Sequence, residues 1–128
     1  MAVVRDPPAQ TREALLREHR VVAIDFYATW CAPCRSYGPK FERAAREVAR
    51  RLPEASVAFL QVDVELDRAF AKAHQVLSMP TTVVLADTRG WFGRVAKREV
   101  LRFSGDRPAQ ELLRDLLAVA ERHGRGPR

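Results

Sequence analysis

The sequence predicts an α/β fold in which a central mixed β-sheet is flanked by helices on both faces. Short, mostly apolar segments of strand length alternate along the chain with longer segments whose apolar residues recur every three or four positions. That alternation is typical of strands joined by helices. Two strand-like segments then follow one another near the end of the chain, which adds an antiparallel hairpin and makes the sheet mixed.

The first half of the chain contains the segment that best fits a central strand. Residues 21–28, VVAIDFYA, are almost all apolar, as in a strand that is covered on both faces. Before it, Thr11 is a suitable cap for a helix that ends near residue 19. After it, a longer helix is predicted over residues 32–52, where apolar residues share one face. Pro39 is expected to kink this helix and Pro53 to end it.

The second half predicts three further strands and two helices. Residues 56–64, 82–86 and 97–103 have the composition of strands. A short helix is expected over residues 67–75. A last helix is expected over residues 106–124, because a leucine-rich stripe there begins after a proline and ends at a glycine.

All of these elements fit a single domain over residues 1–128. A chain of 128 residues buries enough surface to fold without a disulfide or a metal. Two early valines suit a short strand, which two prolines then interrupt. Residues 1–10 and 124–128 are expected to form loose ends.

Composition and charge predict a cytoplasmic globular protein. Hydrophobic residues make up 47% of the chain and charged residues 30%. No segment approaches the ~20 apolar residues of a membrane span, and the first residues lack the apolar run of an export signal, so we expect no membrane association. The net charge is +6, but arginines alternate with acidic residues along the predicted helices, so no nucleic-acid partner is expected either.

The only two cysteines lie in Cys-Ala-Pro-Cys, where the central strand gives way to the long helix. Unpaired N–H groups and the dipole at a helix start favour negative charge, so the Cys31 thiol should have a pKa below its ordinary ~8.5 and attack disulfides as thiolate. Cys34 lies on the same face within disulfide range, so it can attack the mixed disulfide and leave a Cys31–Cys34 bond. Pro33 fits the first helical turn and should hold the two sulfurs in register.

Two other interpretations of the cysteine pair remain. A structural zinc site needs four ligands, but His19, His74 and His123 are scattered, so such a site would require a dimer. The pair could also have no chemistry, although a strand-to-helix junction is the setting in which this spacing is typical of redox function. The sequence therefore predicts no metal.

The residues around the pair resemble the thioredoxin family. From about residue 21 to residue 122 the family's offsets are matched by Asp25, Phe26, Ala28, Trp30, Cys31, Pro33, Cys34, Pro39, Asp63, Val76, Ser78, Pro80, Thr81 and Gly105. The resemblance implies the thioredoxin-like fold. It also implies a cycle of thiol–disulfide exchange at a redox-active disulfide between Cys31 and Cys34.

The resemblance further implies which residues contact the substrate: Trp30, Pro33, Met79 and Pro80. Trp30 would pack beside the active-site turn. Pro80 would be a cis-proline that faces the two sulfurs, a form uncommon enough to have a positional role. The backbone of Met79 would then pair with an extended segment of the substrate.

Asp25 is the only charged residue in the apolar central strand. Burial of a carboxylate without a nearby cation raises its pKa toward the range that is useful for proton transfer. We therefore expect a catalytic role for Asp25, which would deprotonate Cys34 through a water; the alternative is an acid that is simply hydrogen-bonded to its neighbours. Many family members place a lysine near this acid, where the present chain has Phe59, so a stronger perturbation is expected.

The stretch between Pro80 and Gly105 is longer than is usual in the family and predicts an extended hairpin between the last two strands. It carries Trp91 and Phe92 among several basic residues. Two interpretations are open. The aromatic rings could cover a small hydrophobic cluster under the hairpin, or they could form a tip that docks a partner.

The sequence thus predicts a cytoplasmic, monomeric protein disulfide reductase in which Cys31 attacks and Cys34 resolves. Its partners would be disulfide-containing proteins and an electron donor such as a thioredoxin reductase, and no organic cofactor is expected. Two alternatives stay open. One is a disulfide-forming or isomerising protein of the same fold. The other is a thioredoxin-fold binding module that holds a partner through the Pro80 groove or the Trp91 hairpin.

Overall fold

A computed structural model describes residues 3–126, which contain five strands and four α-helices. In chain order these are β1 (Val4–Arg5), α1 (Ala9–Glu18), β2 (Val21–Tyr27), α2 (Ala32–Arg51), β3 (Val57–Asp63), α3 (Arg68–Ala73), β4 (Thr81–Arg89), β5 (Val95–Ser104) and α4 (Ala109–His123). The predicted succession of strands and helices is confirmed. The observed ends differ from the predicted ends by a few residues.

The sheet is mixed, with the strand order β1-β3-β2-β4-β5. β2 lies at its centre, parallel to β3 and antiparallel to β4. Every residue of β2 is buried, which is why its composition is almost entirely apolar. β4 and β5 form the predicted antiparallel hairpin.

Alternate side chains of β2 enter two separate cores on opposite faces of the sheet. One core contains Ala23 together with Phe41 and Leu112, so α2 and α4 cover that face. The other contains Ile24 and Phe70 with parts of α1 at its margin, so α1 and α3 cover the opposite face. Because β2 is held from both sides, the loop that follows it leaves from a rigid support.

The structure corrects the expected loose start of the chain for residues 3–10. β1 pairs in parallel with β3, with Val4 opposite Leu60. The Asp6 carboxylate accepts hydrogen bonds from the Tyr27 hydroxyl at 2.6 Å and from the backbone N–H of Asp63 at 2.7 Å. These bonds join groups that are distant in sequence, so composition alone does not reveal them.

The described part of the expected loose end is also attached. The carbonyl oxygen of Gly124 accepts the backbone N–H of Ser56 at 2.8 Å. Arg125 forms ion pairs with Glu54 at 2.8 Å and with Glu121 at 2.6 Å. Residues 1, 2, 127 and 128 of the two expected loose ends lie outside the described residues.

The β4–β5 hairpin is extended, as predicted, and closes through a short 3₁₀ turn at Trp91–Gly93. Trp91 is 87% exposed and Phe92 is 98% exposed. The interpretation that these rings cover a hydrophobic cluster is therefore wrong, because rings in such a cluster would lose most of their exposed surface.

The hairpin turn lies far from the point where β2 ends. Thr81, at the start of β4, pairs with Phe26 near the end of β2, whereas Ala86 pairs with Val21 at its beginning. β4 then continues beyond Ala86 to the turn. The two exposed aromatic rings are consequently at the opposite end of the sheet from the cysteine pair.

Candidate active site

The predicted site residues meet at the edge of the sheet where β2 and β3 end. Tyr27 and Asp63, the last residues of these parallel strands, lie opposite each other. The loop after β2 leads into α2 at Cys31, and the loop before β4 places Met79 beside it. Because carboxyl ends of parallel strands share one edge, loops that are distant in sequence converge here.

Cys31 and Cys34 form a disulfide at the start of α2, with their Cα atoms 5.2 Å apart. Cys31 is the N-cap residue of the helix, and the backbone N–H of Cys34 donates to its Sγ at 3.2 Å. Pro33 occupies the first turn, where a missing N–H costs no helical hydrogen bond. The N–H donor and the helix dipole both favour negative charge on the Cys31 sulfur when the pair is reduced.

The segment before β4 faces Cys31. The peptide bond between Met79 and Pro80 is cis, as the family resemblance implied. The carbonyl oxygen of Met79 lies 3.5 Å from the Sγ of Cys31. The hydroxyl of Thr81 donates to the carbonyl oxygen of Ser78 at 2.6 Å, which helps to fix this turn. Pro80 is buried and Met79 is half-buried, so the surface beside the sulfur is formed by the Met79 segment.

Trp30 and Pro33 are exposed on the surface next to the disulfide. The indole of Trp30 is held in place, because its Nε1 donates to Glu65 at 3.1 Å. By contrast, Cys31 is 5% exposed and Cys34 is 6% exposed. The disulfide thus lies among exposed apolar side chains, which suits contact with another chain.

Asp25 is buried inside the sheet behind the cysteine pair, with 1% of its surface exposed. Its Oδ2 accepts a hydrogen bond from Nε2 of Gln61 at 3.2 Å, whereas Oδ1 has no hydrogen-bond partner among the described residues. Burial raises the pKa of Asp25 from 3.8 to about 7; the Gln61 hydrogen bond and the charge of Arg5 oppose this rise. Asp25 is therefore poised to exchange a proton near neutral pH.

A cavity of about 200 Å³ joins Asp25 to Cys34. Its lining includes Asp25, Cys34, Gln61 and Arg5. Cys34 borders this cavity, whereas Cys31 lies beside Met79 on the other side. The two sulfurs therefore have different surroundings: one faces the Met79 segment and the other borders the cavity that contains the buried acid.

The neighbour of Asp25 is Gln61, so the expectation that Phe59 takes that position is wrong. In the parallel register of β2 and β3, Asp25 lies opposite Gln61, whereas Phe59 lies opposite Ala23. Phe59 instead packs against Phe41, with ring centroids 6.0 Å apart. Gln61 also lies 3.4 Å from the carbonyl oxygen of Gly38 and bridges β3 to α2.

Sequence reasoning missed Gln61 and Arg5. The position of Gln61 could have been recognised, because it is an uncharged polar residue among the apolar residues of β3. Asp25 stands out in the same way as the single acid of β2. Two polar residues in adjacent buried strands need each other as partners. Arg5 had no comparable signal, because it is a single basic residue near an end that was expected to be loose.

Among residues 3–126, no group of three or more His, Cys, Asp or Glu side chains is arranged to hold a metal ion. His74 packs edge-on against Phe70, with ring centroids 4.7 Å apart, and burial lowers its pKa. No helix within that range is long and apolar enough to cross a membrane.

The chain matches known proteins over most of its length. The family model Thioredoxin matches residues 3–117. A thioredoxin of Mycolicibacterium smegmatis is 36% identical over 102 residues, which cover 80% of this chain and 80% of that protein. A thioredoxin of Echinococcus granulosus is 34% identical over 83 residues, which cover 65% of this chain and 72% of that protein.

Solved structures show the same similarity. The thioredoxin of Fasciola hepatica has 32% identity and a TM-score of 0.62, over 94% of this chain and 99% of that one. The thioredoxin of Malassezia sympodialis has 27% identity and a TM-score of 0.67, over 96% of this chain and 92% of that one. With the mixed five-stranded sheet and the cysteine pair at disulfide distance, these matches show that the chain belongs to the thioredoxin family and is a thiol–disulfide oxidoreductase that works by dithiol–disulfide exchange.

Proposed function

We propose that this chain reduces disulfide bonds in other proteins, with Cys31 as the attacking residue and Cys34 as the resolving residue. Thioredoxins in general act on disulfide-containing substrates. The observation that carries the assignment is the different surroundings of the two sulfurs. Cys31 accepts the helical N–H and lies beside Met79, whereas Cys34 borders the cavity that contains Asp25.

The reaction transfers two electrons from the reduced cysteine pair to the substrate. The Cys31 thiolate attacks one sulfur of the substrate disulfide, so that a new S–S bond forms, the substrate bond breaks and the first substrate thiolate leaves. Cys34 then loses its proton and attacks the Sγ of Cys31. The Cys31–Cys34 disulfide forms, the mixed disulfide breaks and the second substrate sulfur leaves as a thiolate.

Asp25 is the group that accepts the proton of Cys34 in this scheme. Its pKa of about 7 allows it to take up a proton near neutral pH and to return it to solvent. Gln61 holds Oδ2, which leaves Oδ1 as the oxygen free to receive the proton. The cavity has room for a water molecule that links the acid to Cys34.

Replacing Gln61 by Leu should raise the pKa of Asp25 above about 7. The hydrogen bond from Nε2 favours the charged carboxylate, so its loss makes ionisation harder. A carbon-13 NMR titration of the Asp25 carboxyl group measures the change. Gln110→Leu, at an exposed position of α4, is the matched control and should leave the titration unchanged. A lower or unaltered pKa in Gln61→Leu would contradict the proposed role of Gln61.

The substrate contacts in this proposal are made by Met79, Pro80, Trp30 and Pro33. The backbone of Met79 pairs with an extended segment of the substrate, because its carbonyl oxygen already lies 3.5 Å from the attacking sulfur. Pro80 fixes the direction of that backbone. Trp30 and Pro33, which adjoin the cysteines in the chain, supply exposed surface.

The cellular setting completes the proposal. A thioredoxin reductase is the proposed electron donor that restores the cysteine pair after each cycle, as for thioredoxins in general. The chain acts in the cytoplasm, where thiol buffers keep other proteins reduced. It acts as a monomer and needs no organic cofactor, since both electrons are stored in its own two sulfurs.

Reduction of insulin by dithiothreitol tests the proposed function. A catalytic amount of the wild-type chain should accelerate the reduction, because dithiothreitol regenerates the cysteine pair after each turnover. Reduced protein that has been alkylated with iodoacetamide is the matched control and should be inactive. Partner binding without acceleration would support the binding-module alternative. Faster disulfide formation in a reduced, unfolded protein in glutathione buffer would support the disulfide-forming alternative.

A further inference from the structure

A groove beside the disulfide has no role in the chemistry described above. Its volume is about 820 Å³, and it lies between α3 and the segment that leads to β4. Its apolar lining includes Val64, Val76 and Leu77, and its charged lining includes Arg68 and Lys72. A cleft of this volume accommodates several residues of an extended peptide.

The groove is continuous with the redox centre. Val64 lines the groove and also packs against the cluster that contains Cys31 and Cys34. Leu77 lies two residues before Met79 in the chain. An extended chain advances ~3.3 Å per residue. A substrate strand that pairs with Met79 therefore reaches the groove within a few residues of its own cysteine.

The apolar lining of the groove favours an apolar residue of the substrate. Leu77 lines the groove and is 94% exposed. Val64 and Val76 beside it are only half-buried. An apolar substrate side chain placed against these three residues would remove their surface from water.

The rim of the groove is positively charged. Arg68 and Lys72 lie one turn apart on α3, and both are exposed. Neither forms an ion pair with a carboxylate within residues 3–126. The acidic N-cap of α3, Asp67, does not compensate for them, because it is paired with Arg12 at 3.0 Å. Two cations thus face the groove with their charges uncompensated.

A third cation of the groove is already compensated. Arg102 also lines it, but its guanidinium is paired with Glu99 at 2.8 Å. The charge that remains available for a ligand is therefore that of Arg68 and Lys72, on one side of the groove. This asymmetry gives the groove a defined charge preference and not only an affinity for apolar side chains.

We infer that this groove selects, among disulfide proteins, those in which acidic residues accompany an apolar residue close to the cysteine that is attacked. The inference rests on the proposed reductase function and adds a substrate class to it. The occupant is an extended segment of the substrate, because the groove's lining reaches Leu77, two residues before Met79, and its free charges are positive. Carboxylates of that segment lie against Arg68 and Lys72 while its apolar residue covers Leu77.

Two disulfide-linked peptides of matched sequence test the inference. In each peptide a leucine lies next to the cysteine. Two glutamates flank this leucine–cysteine pair on each side in one peptide, and two lysines take the same positions in the other. The wild-type chain should reduce the acidic peptide with a kcat/KM about fivefold higher at low salt. The ratio should fall toward one in 0.5 M NaCl, because salt screens exposed charges. Arg68→Glu/Lys72→Glu should reverse the preference.

The matched control is Arg94→Glu/Arg98→Glu, which makes the same charge change near the hairpin turn at the far end of the sheet. It should keep the preference for the acidic peptide. If it loses the preference as fully as Arg68→Glu/Lys72→Glu does, net charge and not the groove is responsible, and the inference is overturned.

The neutral compound bis(2-hydroxyethyl) disulfide separates this inference from the proposed function. All of these variants should reduce it at the wild-type rate, because it is too small to reach the groove. Equal kcat/KM values for the two peptides, with this compound still reduced, would overturn the groove inference and leave the reductase function standing. Failure to reduce the compound and both peptides would overturn both.

Discussion

Replacing Cys34 by Ser should convert catalytic turnover into the capture of one substrate per protein molecule. The backbone N–H at position 34, which donates to the Sγ of Cys31, is preserved by serine. Cys31 also keeps its place at the N-terminus of α2. Attack on the substrate disulfide is therefore retained, but a serine hydroxyl does not displace the substrate sulfur. Steady-state turnover should fall by on the order of a thousandfold or more.

Intact-mass spectrometry of the protein after incubation with insulin measures this capture. Cys34→Ser should gain the mass of one insulin molecule, because the second interchain disulfide still joins the two insulin chains, and dithiothreitol should remove it. Cys31→Ser is the matched control, and it should neither form the adduct nor turn over, because the residue that attacks first is absent. A binding module would keep its partner in both variants. An adduct on Cys31→Ser alone would reverse the roles proposed for the two cysteines.

Replacing Asp25 by Asn should stabilise the oxidised protein at pH 8 more than at pH 5. Burial raises the pKa of Asp25 from 3.8 to about 7, so the folded protein holds a proton that the unfolded chain releases. The free energy of unfolding of the wild type therefore falls as the pH rises from about 4 to about 7. The buried carboxyl group of Asp25 lowers the free energy of unfolding by on the order of 4 kcal/mol at pH 8 and roughly 2 kcal/mol at pH 5.

Urea unfolding of both oxidised proteins at the two pH values checks the stability prediction. Asparagine is neutral throughout, so its advantage over aspartate should be larger at pH 8 by roughly 2 to 3 kcal/mol. Any constant effect of the amide on its hydrogen bonds cancels in this comparison. An advantage that is the same at both pH values would show that the pKa of Asp25 is not raised by burial.

The same variant tests proton transfer from Cys34. After reduced protein is mixed rapidly with substrate, resolution of the mixed disulfide should be about a hundredfold slower in Asp25→Asn near pH 7. The difference should shrink toward pH 9, because hydroxide increasingly competes with Asp25 for the proton of Cys34. Equal resolution rates from pH 6 to pH 9 would remove Asp25 from the mechanism and leave the disulfide exchange itself untouched.

The cysteine chemistry was predictable because it depends on local order in the chain. An apolar run, then Cys-Ala-Pro-Cys, then an amphipathic helix places the first sulfur at a helix start and the second one turn later. The structure shows this arrangement at Cys31 and Cys34. The burial of Asp25 was also predictable, since it is a single acid inside an apolar strand. In each case the deciding neighbours lie within a few residues of one another.

What only the tertiary structure decided is which distant residues meet. Gln61, and not Phe59, lies beside Asp25, because the parallel register places Asp25 opposite Gln61 and places Phe59 two pairs earlier, opposite Ala23. Arg5 reaches the same cavity only because β1 pairs with β3. The groove likewise exists only because α3 and the segment before β4 lie side by side. Sequence patterns specify each strand and helix, but register and packing between them depend on contacts that the linear order does not contain.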